Sequence, residues 1–275
     1  MPSRVPSSAP PPPAATHASE RSDGPSPGNR LLLLSLLLTL LLWNVPYGHV
    51  ALYPFKLFAT WLHEFSHGLA MIACGAGFAR MEIFQDTSGL AFPSRAVAPY
   101  AQALISSAGY LGTAFFGAAL LVVGRTQNGA RRSLFVLGVL HLGSAAGFVR
   151  NPFGIMAVGL FGVLLLAVAF RAGMRACGFL VNLLAAQSCT NAVLDIRVLF
   201  GPAMLVNGRP HGQSDAHVVA RSLGGPYWLW AGLWLTWSFV LFYSALRYVK
   251  VKGAAHATPV PPPLPALGED GSARF

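Results

Sequence analysis

Apolar residues in this chain run in long blocks rather than in alternation, which is the pattern of buried or lipid-facing helices rather than of half-exposed strands. The first block opens with the Leu-rich run Leu31–Trp43 and extends to about residue 47. Others follow at roughly 53–74, 97–123, 132–149, 153–171, 175–200 and 226–249. A helix of about 20 apolar residues crosses the hydrocarbon layer, so these blocks predict an all-α polytopic membrane bundle. The blocks at 132–149 and 153–171 are short and meet at the tight turn Arg150-Asn151-Pro152. They read either as two spans or as a helical hairpin that does not fully cross, so six to seven transmembrane helices are expected. Thirty mostly polar residues precede Leu31 and no A-x-A-like cleavage site follows Trp43, so the first block reads as a retained span rather than a signal peptide.

One segment breaks the pattern. Met81–Phe92 is too polar and too short to span; two β-prone pieces flank Asp86-Thr87-Ser88-Gly89, which predicts a short β-hairpin after the second helix. Residues 1–30 and 250–275 are rich in Pro, Ser and Ala, with runs such as Pro10–Pro13 and Pro261–Pro263. Such composition buries no core, and both tails are expected to be disordered around a membrane domain at 31–249.

Composition agrees with the blocks: 54% of the 275 residues are hydrophobic and 10% are charged, against about 25% charged in a soluble domain. The formal charge is +10, but the nineteen Lys and Arg are scattered over tails and loops. No basic stripe with interleaved aromatics exists, so the expected partner is the lipid bilayer and not nucleic acid. With the N-terminus inside, Lys and Arg divide almost evenly between the two sides, and the orientation stays open. Cys74, Cys177 and Cys189 lie in or beside apolar blocks with no C-x-x-C spacing, and read as small buried residues.

The chemistry is concentrated at Trp61-Leu-His-Glu-Phe-Ser-His-Gly-Leu-Ala70, an H-E-x-x-H motif inside the second block. His63 and His67 stand four residues apart, so on a helix both rings leave one face, where two neutral imidazoles can share a Zn²⁺. Glu64 beside them can serve as general base toward water on the metal. Ionisable groups inside a bilayer are costly, and this setting marks the motif as functional. A catalytic zinc site of this class needs a third protein ligand. A third histidine six residues beyond His67 would fall at Ala73, which removes that pattern. Of the nine acidic residues only Glu64 and Asp195 lie in apolar helices, and Gln187, Asn191 and Asp195 share one helix face at i, i+4, i+8. Elimination therefore favours Asp195, with His141 in the fourth helix as second choice. Asp215, among Gly, Ser, Gln and His, reads as a solvated loop carboxylate.

Further segments resemble a known family. Tyr53–Phe58 leading into His63–His67, Ser107–Gly112, Asn191–Phe200, and Ser214-Asp215-Ala216 followed by Pro226, Trp230 and Trp234 resemble the site-2-protease-like zinc metallopeptidases, especially their B-like branch. The resemblance covers about residues 31–249. It implies an intramembrane endopeptidase acting on a membrane-anchored protein substrate. It also implies His63 and His67 as ligands, Glu64 as base, a helix-borne aspartate as third ligand, and a hairpin near the site. The family's better-known members have Asp-Gly at the third ligand where Asp195-Ile196 stands here. The competing expectation is a non-catalytic scaffold or transporter with a structural or vestigial metal site, which would be closed by four protein ligands.

Overall fold

The computed structural model describes residues 27–194, 205–210 and 212–255. The tail expectations, apart from their inner ends, and Asp195 lie outside these. In chain order the elements are α1 (Pro27–Asn44), α2 (Gly48–Ala73), β1 (Phe78–Ile83), β2 (Gly89–Pro93), α3 (Pro99–Gly124), α4 (Gln127–Gly147), α5 (Pro152–Arg171), α6 (Met174–Leu194), β3 (Leu205–Val206), β4 (Arg209–Pro210), α7 (Asp215–Leu223) and α8 (Tyr227–Ala255). The fold is thus mostly helical with short antiparallel hairpins. A helix forms at each of the seven apolar blocks. Among the described residues four of them, α3, α5, α6 and α8, are long and apolar enough to cross a membrane. The apolar part of α1 is shorter, α2 is interrupted by Lys56, His63, Glu64 and His67, and α4 by Arg131, Arg132 and His141.

α3 is the central post, packing on α2, α6, α7 and α8. Close helix approach in an apolar solvent depends on small residues and a few polar links rather than on a hydrophobic drive. α3 supplies the small residues. A Cβ on Gly112 would lie 2.3 Å from Ser66 Oγ of α2, and one on Gly117 would meet Cys189 and Ser188 of α6 at 3.0–3.1 Å. The polar links lie elsewhere: Gln187 of α6 donates to Thr39 Oγ1 of α1 at 3.0 Å. Gln187 and Asn191 are both buried, so their helix face does turn into the bundle. The largest core side chains, Phe58, Trp61, Met81, Ile83, Leu134 and Leu165, fill the space between α2, the first hairpin, α4 and α5.

The predicted hairpin is present: β1 and β2 pair antiparallel with Ile83 opposite Gly89 and Met81 opposite Ala91. The Phe84 amide donates to Ser88 O. Alternation along an antiparallel ladder then turns the peptide groups of Met81 and Ile83 away from β2, and those of Gly89 and Ala91 away from β1. The β1 edge is occupied. The Met81 amide donates to Phe148 O, Met81 O accepts from the Arg150 amide, and the Asn151 side chain both accepts from the Ile83 amide (3.0 Å) and donates to Ile83 O (2.6 Å). Asn151 thus stands in for a strand peptide and fastens the hairpin to the α4–α5 turn. Removing it leaves a half-buried amide and carbonyl unpaired, at about 1–3 kcal/mol. Asn151→Ala is therefore expected to lower unfolding stability by that amount in detergent; an unchanged denaturation midpoint would show that the hairpin is held by packing alone. The β2 edge is different: no described residue hydrogen-bonds the outward groups of Gly89 and Ala91.

Candidate metal centre

The 26-residue α2 puts His63 and His67 one turn apart, and both rings face α3. They meet α3 at Gly109, where a Cβ would stand 2.4 Å from His63 Nε2 and 2.5 Å from His67 Nε2. Only a glycine lets the two rings reach this depth. The His67 ring is oriented by a hydrogen bond from Nδ1 to Ile105 O at 2.6 Å. Since a carbonyl only accepts, Nδ1 carries a proton and Nε2 is the nitrogen turned toward Asp215. A backbone acceptor behind one ring nitrogen is the usual support of a metal-bound histidine. His63 is braced from the side: the Tyr110 ring meets it edge-on at 4.7 Å, and Tyr110 in turn stacks on Trp234 of α8 at 5.2 Å.

The third group is Asp215. It opens α7, a nine-residue amphipathic helix whose buried Ala216 and Val219 dock with Tyr110 and Trp234. Asp215 Oδ2 lies 3.6 Å from His63 Nε2 and 3.5 Å from His67 Nε2, and the two imidazole nitrogens are 3.0 Å apart. Donor atoms placed tetrahedrally at about 2.0–2.1 Å from one zinc stand about 3.3–3.4 Å from each other. The observed triangle has that size. Burial alone would raise the Asp215 carboxyl, but the adjacent His67 and His63 prevail and hold it well below the usual carboxylate range. The residues present therefore fit a zinc ion: two imidazole nitrogens, one ionised carboxylate oxygen, and among the described residues no fourth protein donor.

Glu64 is buried and lies within electrostatic reach of His63, His67 and Asp215. The hairpin covers it. A Cβ on Gly89 would come within 2.6 Å of Glu64 Cγ and 2.8 Å of Oε1, and Thr60 donates to Thr87 O at 2.6 Å, fixing the turn over α2. The same turn holds the chain that leads to Asp215. The Gly208 amide donates to Asp86 Oδ2 (2.9 Å) and the Asn207 amide to Ser88 Oγ (3.0 Å), so the β3–β4 turn hangs from the first hairpin. Slight burial raises the Asp86 carboxyl, but hydrogen bonds from Ser88 and Gly208 outweigh it and leave the group below its ordinary value. Asp86→Ala is accordingly expected to weaken zinc binding without removing a donor, as read by titration against a competing chelator. Unchanged affinity would show that α7 holds Asp215 without this latch.

His63, Glu64 and His67 thus stand together as the motif spacing requires. The second-choice ligand does not join them. His141 packs against the opposite side of α2, stacked on Trp61 at 3.7 Å and Phe58 at 5.6 Å. Asp195, the first choice, falls outside the described residues. The reading of Asp215 as a solvated loop carboxylate is corrected, because it begins a helix and its side chain is only 20% exposed. A signal was available: Ala216, Val219 and Leu223 recur at helical spacing behind a serine, but a nine-residue helix among polar neighbours is easily passed over.

Two histidines and an aspartate close enough to share one ion, with the buried Glu64 beside them, make a possible metal site in a chain with four helices able to cross a membrane. The family model "Peptidase M50B-like" matches residues 32–245, and the chain belongs to that family of site-2-protease-like peptidases. No curated protein and no solved structure matches the chain.

Proposed function

We propose that this protein is an intramembrane zinc metalloendopeptidase that hydrolyses peptide bonds of membrane-anchored proteins, with several of its helices crossing the bilayer. The observation that carries the reading is the triangle of His63 Nε2, His67 Nε2 and Asp215 Oδ2 beside the buried Glu64. His63, His67 and Asp215 would hold the zinc. Bound there, zinc supplies a Lewis acid for the scissile carbonyl and acidifies a water. Glu64 accepts the proton of the attacking water and returns it to the leaving nitrogen. Among the described residues three protein donors stand at the site rather than four, which favours a catalytic over a structural site and weighs against a scaffold with a closed metal.

A helical substrate hides its carbonyls in hydrogen bonds, so it has to unwind before attack. The β2 edge suits the unwound form. Gly89 and Ala91 offer outward peptide groups next to Glu64, and strand addition there brings an extended chain to the base. The β1 edge is closed by Phe148–Asn151 and does not compete.

The test is a cleavage assay on a panel of membrane-anchored peptides with purified Glu64→Gln. Zinc content is expected to stay at the wild-type level while cleavage falls by about 10²–10⁴-fold, the range for loss of a general base. Full cleavage by this variant would refute the assignment.

A further inference from the structure

Behind α2, on the side away from the triad, a cavity of about 290 Å³ lies between α2, α4, α5 and β1. That is the low end of small-molecule sites, about 300–1,000 Å³. We propose that it binds an uncharged long-chain alcohol from the bilayer, whose hydroxyl donates to His141 Nε2.

The polar groups of the wall lead to this. Besides apolar side chains such as Leu57, Phe58 and Phe161, the lining includes Tyr53, Trp61 and His141. The Tyr53 hydroxyl donates to Gln85 O at 2.7 Å, and Trp61 Nε1 donates to Ser144 Oγ at 2.8 Å. Both protons are spent. His141 is 1% exposed; its Nδ1 donates to Leu137 O at 2.8 Å, and its Nε2 has no hydrogen-bond partner among the described residues. Leu137 O only accepts, so the proton sits on Nδ1 and Nε2 of the neutral ring is an acceptor without a donor. A charged ring would have no acidic side chain in this wall to face, and an isolated buried charge is costly.

The occupant follows from what is missing. A buried water makes about three hydrogen bonds and needs a donor as well as acceptors, and the side chains of this wall have no proton left to donate. A pure hydrocarbon would leave Nε2 unpaired, and a charged headgroup would find no counter-charge. An uncharged chain ending in a hydroxyl satisfies both the apolar wall and the buried Nε2 acceptor. Its source is the bilayer, because the outer wall is Leu160 and Leu164, 65% and 51% exposed on α5, a helix able to cross a membrane. Since Nε2 is sealed, a wall side chain must swing aside as the hydroxyl seats.

The experiment uses dodecan-1-ol carrying a photoreactive diazirine, compared with its methyl ether, on the purified full chain in detergent. Labelled peptides are read by mass spectrometry. Saturable labelling of α2 and α5 is expected, with the alcohol binding roughly three- to tenfold more tightly than the ether, the worth of one hydrogen bond. His141→Phe should erase that difference, and Ala157→Trp, which fills the cavity, should abolish saturable labelling. Unlabelled dodecan-1-ol should compete more strongly than dodecane. Equal binding of alcohol and ether by wild-type protein would overturn the proposal, even if either variant failed to fold. Saturable labelling that survives Ala157→Trp, or that spreads evenly to α8, would overturn it as well. The readout needs neither zinc nor cleavage, so it stands or falls apart from the peptidase reading.

Discussion

Asp215→Ala is expected to strip the protein of zinc and to abolish cleavage. Asp215 Oδ2 is 3.5–3.6 Å from both imidazole nitrogens and supplies the only carboxylate oxygen of the described triad. Losing a group that merely supports a ligand costs about 10–100-fold in metal affinity, so losing a ligand outright should exceed about 100-fold. The bundle itself should persist, because α7 is anchored by Ala216 and Val219 rather than by its first residue. Zinc per chain after dialysis, with circular dichroism as the folding control, reads this directly. Asp195→Ala in parallel settles which aspartate serves: retained zinc in Asp215→Ala with loss in Asp195→Ala would move the third-ligand role to Asp195.

Gly109→Ala should be comparably severe, although it touches no donor chemically. The added methyl would sit 2.4–2.5 Å from His63 Nε2 and His67 Nε2. Real Cβ atoms do not approach neighbours so closely, so both rings must retreat from α3 and from each other. The metal-facing nitrogens are the atoms displaced, and no flexible side-chain end is available to yield instead. Overpacking of this kind costs about 1–3 kcal/mol in stability, but the larger effect falls on zinc affinity and cleavage. Gly143→Ala in α4, where a Cβ meets open space, is the matched control and should change neither. Equal zinc affinity in Gly109→Ala and wild type would show that the rings do not bind metal in this orientation.

The blocks of apolar sequence told where helices form because lipid-facing and core-facing residues are alike in composition; for that same reason they did not tell how many cross. α2 and α4 are 26 and 21 residues long yet carry charged or histidine side chains, of which Glu64, His67 and His141 are buried. Hairpin turn chemistry at Asp86–Gly89 was readable locally. Its docking was not, since Asn151 reaches Ile83 across 68 positions of sequence. The His-Glu-His part of the site was legible because four-residue spacing on one helix forces the geometry. Asp215 was not, because its place depends on a short helix docking 148 residues beyond His67 and on backbone links from Asn207 and Gly208 to a turn far upstream. Elimination by local polarity rewarded an aspartate within a long apolar helix and passed over one buried only by tertiary contact. His141 illustrates the converse: an isolated histidine in an apolar helix proved to be a packed ring on the far side of α2.

The central claim, metal-dependent hydrolysis at His63, Glu64, His67 and Asp215, is tested most directly by following cleavage of a membrane-anchored peptide through one cycle of metal removal and return. The purified protein is assayed as isolated, after chelation and dialysis, and after addition of one equivalent of zinc. The account predicts cleavage that is lost with the metal and restored by zinc in the wild type but not in Glu64→Gln. Cleavage that continues undiminished in the fully metal-free protein would contradict it.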